Sequence, residues 1–312
     1  MPSFDECFQK VKADCFKFIS SQETKTEKFK NKGRMIRSFL IPICFWISKK
    51  AGKKKPLIIG LAGGQGIGKT TITSIISIIL KKYFKLDIFK ISIDDFYKTR
   101  KQRTLLSKNK HSLLMTRGVP GTHDIDIMLN FFKKIKVKNF KILKWPKFNK
   151  GVDDRCKQSL WYKIQSKPDV VILEGWCVGA RSQNSKELKK PVNSLEKIHD
   201  QNFKWRQYVN YQLKTKYKKL FNQLDYILFL KAKNFSLLRR WRLKQEKKLW
   251  LKSKNKKNLK IMNKDQVKNF MDTYQRITQQ MFKDMPKYSS IIMNLNSSHQ
   301  IKNIKYIWEW LE

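Results

Sequence analysis

The sequence predicts an α/β fold in which a parallel β-sheet is covered by helices on both faces, and three observations support this prediction. Short apolar runs alternate along the chain with segments whose apolar residues recur at helical spacing. Glycine-rich or acidic residues follow several of these runs, at the strand ends where parallel sheets hold their ligands. With 312 residues, 41% of them hydrophobic, the chain can bury a full core.

Two apolar segments precede the first predicted strand. Residues 4–19 carry apolar side chains at helical spacing, and residues 36–48 form the second segment. The polar stretch 20–32 between them is predicted to be a loop. We therefore expect residues 1–55 to form an N-terminal helical extension, a layer packed against the main domain.

Residues 56–312 are predicted to form that main domain. Its expected strands are residues 57–62, 88–93, 170–173, 226–230 and 288–295, and its expected helices are residues 70–82, 235–250, 267–282 and 299–311. Residues 235–252 are a candidate lid. Between residues 98 and 157 the apolar residues show little regular periodicity, and Gly, Pro and charged residues are frequent. This pattern predicts a long irregular insertion with a role in ligand binding.

The chain is strongly basic, with 69 Lys and Arg residues against 24 Asp and Glu and a formal net charge of +45. Such an excess ordinarily indicates nucleic acid or an anionic membrane surface as a partner. Here the basic residues are spread over the whole chain without a nucleic-acid recognition motif, and the codon bias of an AT-rich genome can account for most of them. We expect a small-molecule substrate rather than nucleic acid. The sequence does not indicate which oligomeric state the protein has.

Cysteine usage and hydropathy indicate the compartment. The five cysteines lie far apart, with no CxxC pair and no Cys/His spacing typical of zinc sites. The first residues lack the apolar core of a secretory signal, and the apolar stretch 39–47 is too short to span a bilayer. We therefore expect a soluble, cytoplasmic protein with free thiols and no membrane association.

The most informative motif is a phosphate-binding loop between the first predicted strand and helix. It fits GxxxxGK[ST] without departure, and its glycines allow backbone N–H groups to face phosphate oxygens. The alternative is a glycine-rich turn that only joins strand to helix. We favour a site for ATP and Mg²⁺, in which Lys69 reaches the β- and γ-phosphates and Thr70 ligates the metal. The expected nucleotide-binding residues are Gly63, Gly64, Gln65, Gly66, Ile67, Gly68, Lys69, Thr70 and Thr71.

Acidic residues follow the second and third predicted strands. Asp94 stands where an incoming hydroxyl would lie near the γ-phosphate, and we expect it to act as the general base. The alternative role for Asp94 is a cap of the next segment. Glu174 ends an apolar run as a carboxylate that binds Mg²⁺ does, and we expect it to share the metal with Thr70.

The predicted helix 235–250 is basic. Its residues Arg239, Arg240 and Arg242, with Lys244 nearby, can close over the nucleotide and neutralise charge that develops during transfer. We expect Arg239 and Arg242 to be the catalytic cations. The alternative is a charged face exposed to solvent.

Six segments, taken together, carry a family resemblance. They read GGQGIGKTT at 63–71, SIDDFYKTR at 92–100, TRGVPGTHD at 116–124, KWPKFNKGVDDR at 144–155, VVILEGW at 170–176 and RRWRLKQE at 239–246. From about Pro56 to the C-terminus, the chain resembles the D-glycerate 3-kinases, which are relatives of phosphoribulokinase, uridine kinase and pantothenate kinase.

The resemblance implies a phosphotransferase that uses ATP and Mg²⁺ to convert D-glycerate into 3-phosphoglycerate, in photorespiratory or serine-linked metabolism. It also implies that the segment around Arg117, His123 and Asp124, within the insertion 98–157, is part of the acceptor pocket. A glycerate pocket needs a cation for the carboxylate and a carboxylate or His for a hydroxyl, and Arg117, Lys150, Arg155, His123 and Asp124 can supply such groups. We expect these residues, with Asp95 and Tyr97 just before the insertion, to bind the acceptor; the alternative for each is a structural role in holding an irregular loop. Asn149 and Gly151 depart from the family pattern, which has a carboxylate and a hydroxyl there. Two alternatives are a related kinase for pantothenate or a nucleoside, and a basic ATP-binding protein that acts on nucleic acid.

Overall fold

The structure is a computed structural model that describes residues 3–24, 28–252 and 262–307. Its α-helices are Phe4–Gln22 (α1), Lys32–Arg34 (α2), Ile41–Ala51 (α3), Lys69–Lys82 (α4), Arg100–Asn109 (α5), Ile125–Ile135 (α6), Ser185–Leu188 (α7), Ser194–His199 (α8), Lys204–Gln212 (α9), Lys218–Phe221 (α10), Phe235–Lys252 (α11) and Lys264–Asp284 (α12). Its strands are Leu57–Gly63 (β1), Ile88–Ser92 (β2), Leu143–Trp145 (β3), Phe148–Asn149 (β4), Asp154–Arg155 (β5), Tyr162–Ile164 (β6), Val170–Gly175 (β7), Tyr226–Ala232 (β8), Ile291–Leu295 (β9) and Ile301–Tyr306 (β10).

The central sheet has the strand order β10-β9-β8-β1-β7-β2. Strand β1 pairs in parallel with β7 and β8, and the outer strands β2 and β9 continue the parallel pairing. Among the described strands of this sheet, β10, at one edge, is the one that is antiparallel to its neighbour. The predicted α/β class is therefore confirmed, with the five predicted strands in the parallel part of the sheet.

Strand β1 is buried along its whole length because helices cover both faces of the sheet. Its alternating side chains enter two separate cores. Leu57, Ile59 and Leu61 pack in the core beneath α1, α3, α4 and α11, whereas Ile58 and Ala62 face the core that α6, α9 and α12 cover. Two-sided burial explains why the strand is a continuous apolar run.

The predicted N-terminal helices are present as α1 and α3, joined through α2 and a π-helical stretch, Met35–Leu40. Helix α1 continues to Gln22, so it takes the first residues of the predicted loop. Both helices pack on α4, the helix that follows the phosphate-binding loop. The N-terminal layer therefore supports the helix on which the nucleotide site is built.

The segment 98–157 is more regular than predicted. It contains α5, α6 and short strands, and α6 buries apolar residues at a helical spacing that the sequence already displays. Arg103 of α5 is fully buried and donates to the carbonyl oxygens of Met115, at 2.8 Å, and Asp153, at 2.6 Å. These bonds join the two ends of the segment. The prediction of an irregular insertion is therefore wrong for residues 100–109 and 125–135, which form α5 and α6.

The helix predicted over residues 299–311 is wrong where the structure describes it. Residues 301–306 form strand β10, in which Ile301 pairs with Leu295 and Tyr306 with Ile291. A short apolar pattern fits a strand as well as a helix, and an adjacent open strand edge can supply the backbone hydrogen bonds. Residues 308–311 of the predicted helix lie outside the described residues.

Within the described residues, no helix combines the length and apolar character needed to cross a lipid bilayer.

Candidate active site

The carboxyl ends of β1, β7 and β2 meet at one edge of the sheet because these strands are parallel neighbours. The phosphate-binding loop follows β1, Glu174 lies near the end of β7, and Asp94 comes just after β2. All three open into one cleft of about 1790 Å³. The cleft therefore lies where ligands bind in open α/β sheets.

The phosphate-binding loop has the backbone geometry that its glycines predict. Gly66 and Gly68 have φ values of 77° and 94°, which L side chains rarely adopt. A Cβ on Gly66 would lie 3.1 Å from the backbone nitrogen of Arg242, so α11 approaches the loop closely. Any side chain at position 66 would therefore disturb both the loop and the contact with α11.

Lys69 is the first residue of α4, and its ammonium lies inside the loop. Nζ donates to the carbonyl oxygens of Gly63, at 2.9 Å, and Gly64, at 3.2 Å. Burial lowers the pKa of Lys69, and the carboxylates of Glu174 and Asp94 oppose that effect. The two carbonyl contacts hold the side chain beside the loop, where phosphate oxygens can replace the carbonyl groups.

Glu174 joins β7 to the start of α4. Its Oε1 accepts a hydrogen bond from Thr70 Oγ1 at 3.0 Å, and its Oε2 accepts one from Thr73 Oγ1 at 3.0 Å. One carboxylate and one hydroxyl are the hard oxygen donors that Mg²⁺ takes from a protein when nucleotide phosphates supply further ligands. In the described part of the chain, no cluster of three or more His, Cys, Asp or Glu residues could hold a metal alone. The donor set therefore fits a nucleotide-bound Mg²⁺.

Asp94 lines the cleft in a 3₁₀ turn directly after β2. Its Oδ1 accepts a hydrogen bond from the Tyr97 hydroxyl at 2.9 Å, and its Oδ2 lies 2.8 Å from Lys150 Nζ. Burial alone would raise the pKa of Asp94, but the charge and hydrogen bond of Lys150 hold it below its ordinary value. Asp94 is therefore an ionised carboxylate, the form that a general base requires. Asp95 lies outside the cleft lining, where burial and the Asp94 charge raise its pKa to about 7.

His123 lies behind Tyr97 and does not reach the lining of the cleft. The two rings are stacked with centroids 4.5 Å apart, and His123 Nδ1 lies 2.6 Å from the Tyr217 hydroxyl. Burial lowers the pKa of His123 to about 4, which keeps the imidazole neutral near pH 7. His123 therefore contacts Tyr97, the residue whose hydroxyl donates to Asp94.

The cations predicted to bind the acceptor divide into two groups. Arg117 and Lys150 line the cleft, and Arg117 forms an ion pair with Asp153. Arg155 instead donates to the Tyr97 carbonyl oxygen at 2.8 Å and to Asp124 Oδ2 at 3.2 Å. Its side chain is only 9% exposed, and it joins the turn after β2 to the start of α6.

Asp124 and the two residues that depart from the family pattern have local structural contacts. Asp124 caps the N-terminus of α6. Asn149 Oδ1 accepts hydrogen bonds from the backbone nitrogens of Gly151, at 2.9 Å, and Val152, at 3.3 Å. Asn149 therefore stabilises the turn that presents Lys150 to the cleft.

The two arginines predicted as catalytic cations point in different directions. Arg242 lines the cleft, and its guanidinium pairs with Glu246 one turn further along α11. Arg239 lies outside the lining and pairs with Asp272 of α12, with Gln275 accepting a further hydrogen bond at 2.9 Å. Arg242 therefore faces the cleft, whereas Arg239 joins α11 to α12.

Several residues that line or support the site were missed by the sequence analysis. They are Thr73, Trp176, Trp241, Tyr274 and His299. Thr73 follows Lys69 by one helical turn, so its spacing was a usable signal. Trp176 Nε1 donates to the Gly118 carbonyl oxygen at 2.8 Å. The two residues are far apart in the chain, so no local sequence pattern predicts this contact.

Comparison with known proteins connects this geometry to kinases. No protein-family model matches the chain. The chain is 32% identical over 200 residues to the uncharacterized kinase mug58 of Schizosaccharomyces pombe, a match that covers 62% of this chain and 70% of that protein. It is 29% identical over 227 residues to the chloroplastic D-glycerate 3-kinase of Arabidopsis thaliana, over 67% of this chain and 47% of that protein, so about half of the plant enzyme is matched. The solved structure of D-glycerate 3-kinase from Cryptococcus neoformans has the same fold, with a TM-score of 0.74 at 22% identity over 86% of this chain and 99% of that one.

Proposed function

Because the chain belongs to the family of P-loop kinases that includes D-glycerate 3-kinase, we propose that it phosphorylates D-glycerate at the 3-hydroxyl with ATP. The products are 3-phosphoglycerate and ADP. One observation carries the proposal: an ionised carboxylate, Asp94, and two cations, Lys150 and Arg117, open into the same cleft as the phosphate-binding loop. A small acceptor with both a hydroxyl and a carboxylate matches this combination of groups.

The chemistry follows from these positions. The acceptor hydroxyl gives its proton to Asp94 while its oxygen forms a bond to the γ-phosphorus, and the bond from that phosphorus to the bridging oxygen of ADP breaks. Lys69 and the backbone amides of the loop stabilise the charge on the phosphates. Lys150 and Arg117 bind the acceptor carboxylate, which orients the hydroxyl toward Asp94.

A coupled assay with D-glycerate, ATP and Mg²⁺ tests the proposal directly. We expect 3-phosphoglycerate to form at a rate far above that of a Lys69→Ala control. L-glycerate, pantothenate and a nucleoside serve as competing acceptors in the same assay. If one of these compounds is phosphorylated and D-glycerate is not, the proposed acceptor is rejected, but the assignment as a kinase stands.

The metal is the second part of the proposal. Thr70 and Glu174 would hold Mg²⁺, which when bound neutralises charge on the β- and γ-phosphates. We predict that Glu174→Gln raises the Mg²⁺ concentration needed for half-maximal turnover about tenfold, because the carboxylate loses its charge but keeps its size. The measurement is a Mg²⁺ titration at saturating ATP. Glu187→Gln, on the exposed helix α7, is the matched control, and an unchanged Mg²⁺ requirement in Glu174→Gln would remove Glu174 from the metal site.

Lys150→Met tests how the acceptor is recognised. We predict that KM for glycerate rises about tenfold or more while KM for ATP changes little, since a charge-assisted hydrogen bond to the acceptor carboxylate is lost. The substitution also removes the cation that holds down the pKa of Asp94, so the acidic limb of the kcat/KM profile should move to higher pH. Steady-state kinetics between about pH 5 and pH 9 measure both effects. Equal rises of both KM values would argue against Lys150 as an acceptor residue.

We further propose that the protein works in the cytoplasm. Its five cysteines are free, and four of them are buried. Free thiols are typical of a reducing compartment. Cell fractionation with an antibody to the protein tests this, and recovery in an organelle or secreted fraction would reject it.

A further inference from the structure

The position of Asp94 determines how a nucleotide lies in the cleft. In the sheet order, Glu174 and Asp94 lie on the β7 and β2 side of the phosphate-binding loop. The γ-phosphate must face that side, because it is transferred to an acceptor held beside Asp94. The nucleoside and the phosphates nearest to it therefore extend toward β8, β9 and β10.

Two aromatic residues mark this nucleoside side. His299, in the turn between β9 and β10, stacks on Trp241 of α11 with ring centroids 4.1 Å apart and an interplanar angle of 10°. His299 Nε2 lies 3.7 Å from the point that a Cβ on Gly68 would occupy. The stacked pair therefore stands directly beside the phosphate-binding loop.

The N-terminal layer reaches the same side of the cleft. Phe29 and Met35 pack against the hydrophobic core that includes Ile67 of the loop and Trp241. The π-helical stretch Met35–Leu40 contacts both β10 and α4, and Lys248 of α11 donates a hydrogen bond to the Gln22 carbonyl oxygen at the end of α1. Residues 28–35 are thus anchored at the open side of the nucleotide cleft.

This segment presents positive charge to the cleft. Lys30 and Arg34 are exposed, and both line the same cleft as Lys69 and Thr70. The Arg34 guanidinium lies 5.8 Å from the centre of the Phe39 ring, so its direction is restrained by packing. Arg37, three residues further on, instead pairs with Asp5 at 2.6 Å and does not line the cleft.

We propose that residues 28–35 form one wall of the nucleoside-triphosphate site, where Lys30 and Arg34 supply positive charge to the phosphates of the bound nucleotide. The inference rests on the proposed nucleotide site and adds the N-terminal layer to it. The layer then has two roles: it supports α4 through its apolar face, and it contributes cations to nucleotide affinity. Its effect is on binding of ATP, since neither cation lies on the side of Asp94.

Calorimetric titration of the full chain with ATP and Mg²⁺, without acceptor, tests the inference. We expect the Kd for ATP to rise about tenfold in the double variant Lys30→Ala/Arg34→Ala. The matched control is Lys12→Ala/Arg37→Ala, which removes the same charge from the same layer at sites outside the cleft, and we expect it to change Kd less than about twofold. The charge-preserving variant Lys30→Arg/Arg34→Lys should bind ATP as the wild type does.

Equal Kd values for the double variant and its control would overturn the inference, and so would failure of the charge-preserving variant to bind normally. The difference in the Kd for ATP between the double variant and its control should also become smaller as the salt concentration rises from about 0.05 to 0.5 M, because ions screen exposed charges. ATP binding requires no acceptor. A wild-type chain that binds ATP but leaves D-glycerate unchanged would therefore reject the proposed function and leave this inference standing.

Discussion

Asp94→Asn is expected to lower kcat by about a thousandfold while the Kd for ATP stays within about twofold of the wild type. The amide keeps the shape of the side chain and can still bind Tyr97. It cannot take a proton from the acceptor hydroxyl. The measurement combines the coupled kinase assay with calorimetric titration of ATP.

The matched control is Asp126→Asn, the same chemical change at an exposed residue of α6 that pairs with Lys216 at 2.6 Å. We expect this control to keep wild-type kinetics. Undiminished turnover of Asp94→Asn would remove Asp94 from the role of base. Its contacts with Tyr97 and Lys150 would then have to be regarded as structural.

Lys69→Met is expected to lower kcat/KM for ATP by about a hundred- to a thousandfold, because it removes the cation that the phosphate-binding loop holds beside the β- and γ-phosphates. Methionine retains much of the aliphatic length, so the fold should change little. Steady-state kinetics with varied ATP measure the effect, and thermal unfolding checks that the variant is folded.

Lys81→Met, in the last turn of the same helix, is the control. It makes the same change at the far end of α4 and should leave kcat/KM unaltered. If both variants lost activity equally, the loss would reflect damage to α4, and Lys69 would not be the phosphate-binding cation.

The segment 98–157 illustrates what sequence patterns can miss. Dense Gly, Pro and charged residues predicted irregular structure over 98–157, yet α5 and α6 occupy much of it. The buried Arg103 stabilises this arrangement by bonding to carbonyl groups 12 and 50 residues away in the chain. A fully buried arginine with carbonyl partners has no local sequence signature, since the same residue type is usually exposed.

The residues that were expected to bind the acceptor show the same limit of sequence patterns for single side chains. Lys150, His123 and Arg155 were all expected to contact the acceptor. The structure separates them: Lys150 reaches Asp94, whereas His123 stacks behind Tyr97 and Arg155 binds the Tyr97 carbonyl oxygen. Residues of one sequence motif, such as Lys150 and Arg155, can thus face either the cleft or the scaffold, depending on how the segment packs.

The sequence by itself determined the parallel α/β sheet, the phosphate-binding loop at 63–71 and the positions of Asp94 and Glu174 at strand ends. These features are encoded locally, because a continuous apolar run specifies a buried strand and glycine spacing specifies the backbone of the loop. Only the tertiary structure decided that Arg242 faces the cleft while Arg239 binds Asp272, that residues 301–306 form an edge strand, and that residues of the N-terminal layer line the same cleft as the phosphate-binding loop. Each of these outcomes depends on contacts between segments far apart in the chain, and such contacts form only when the two cores pack.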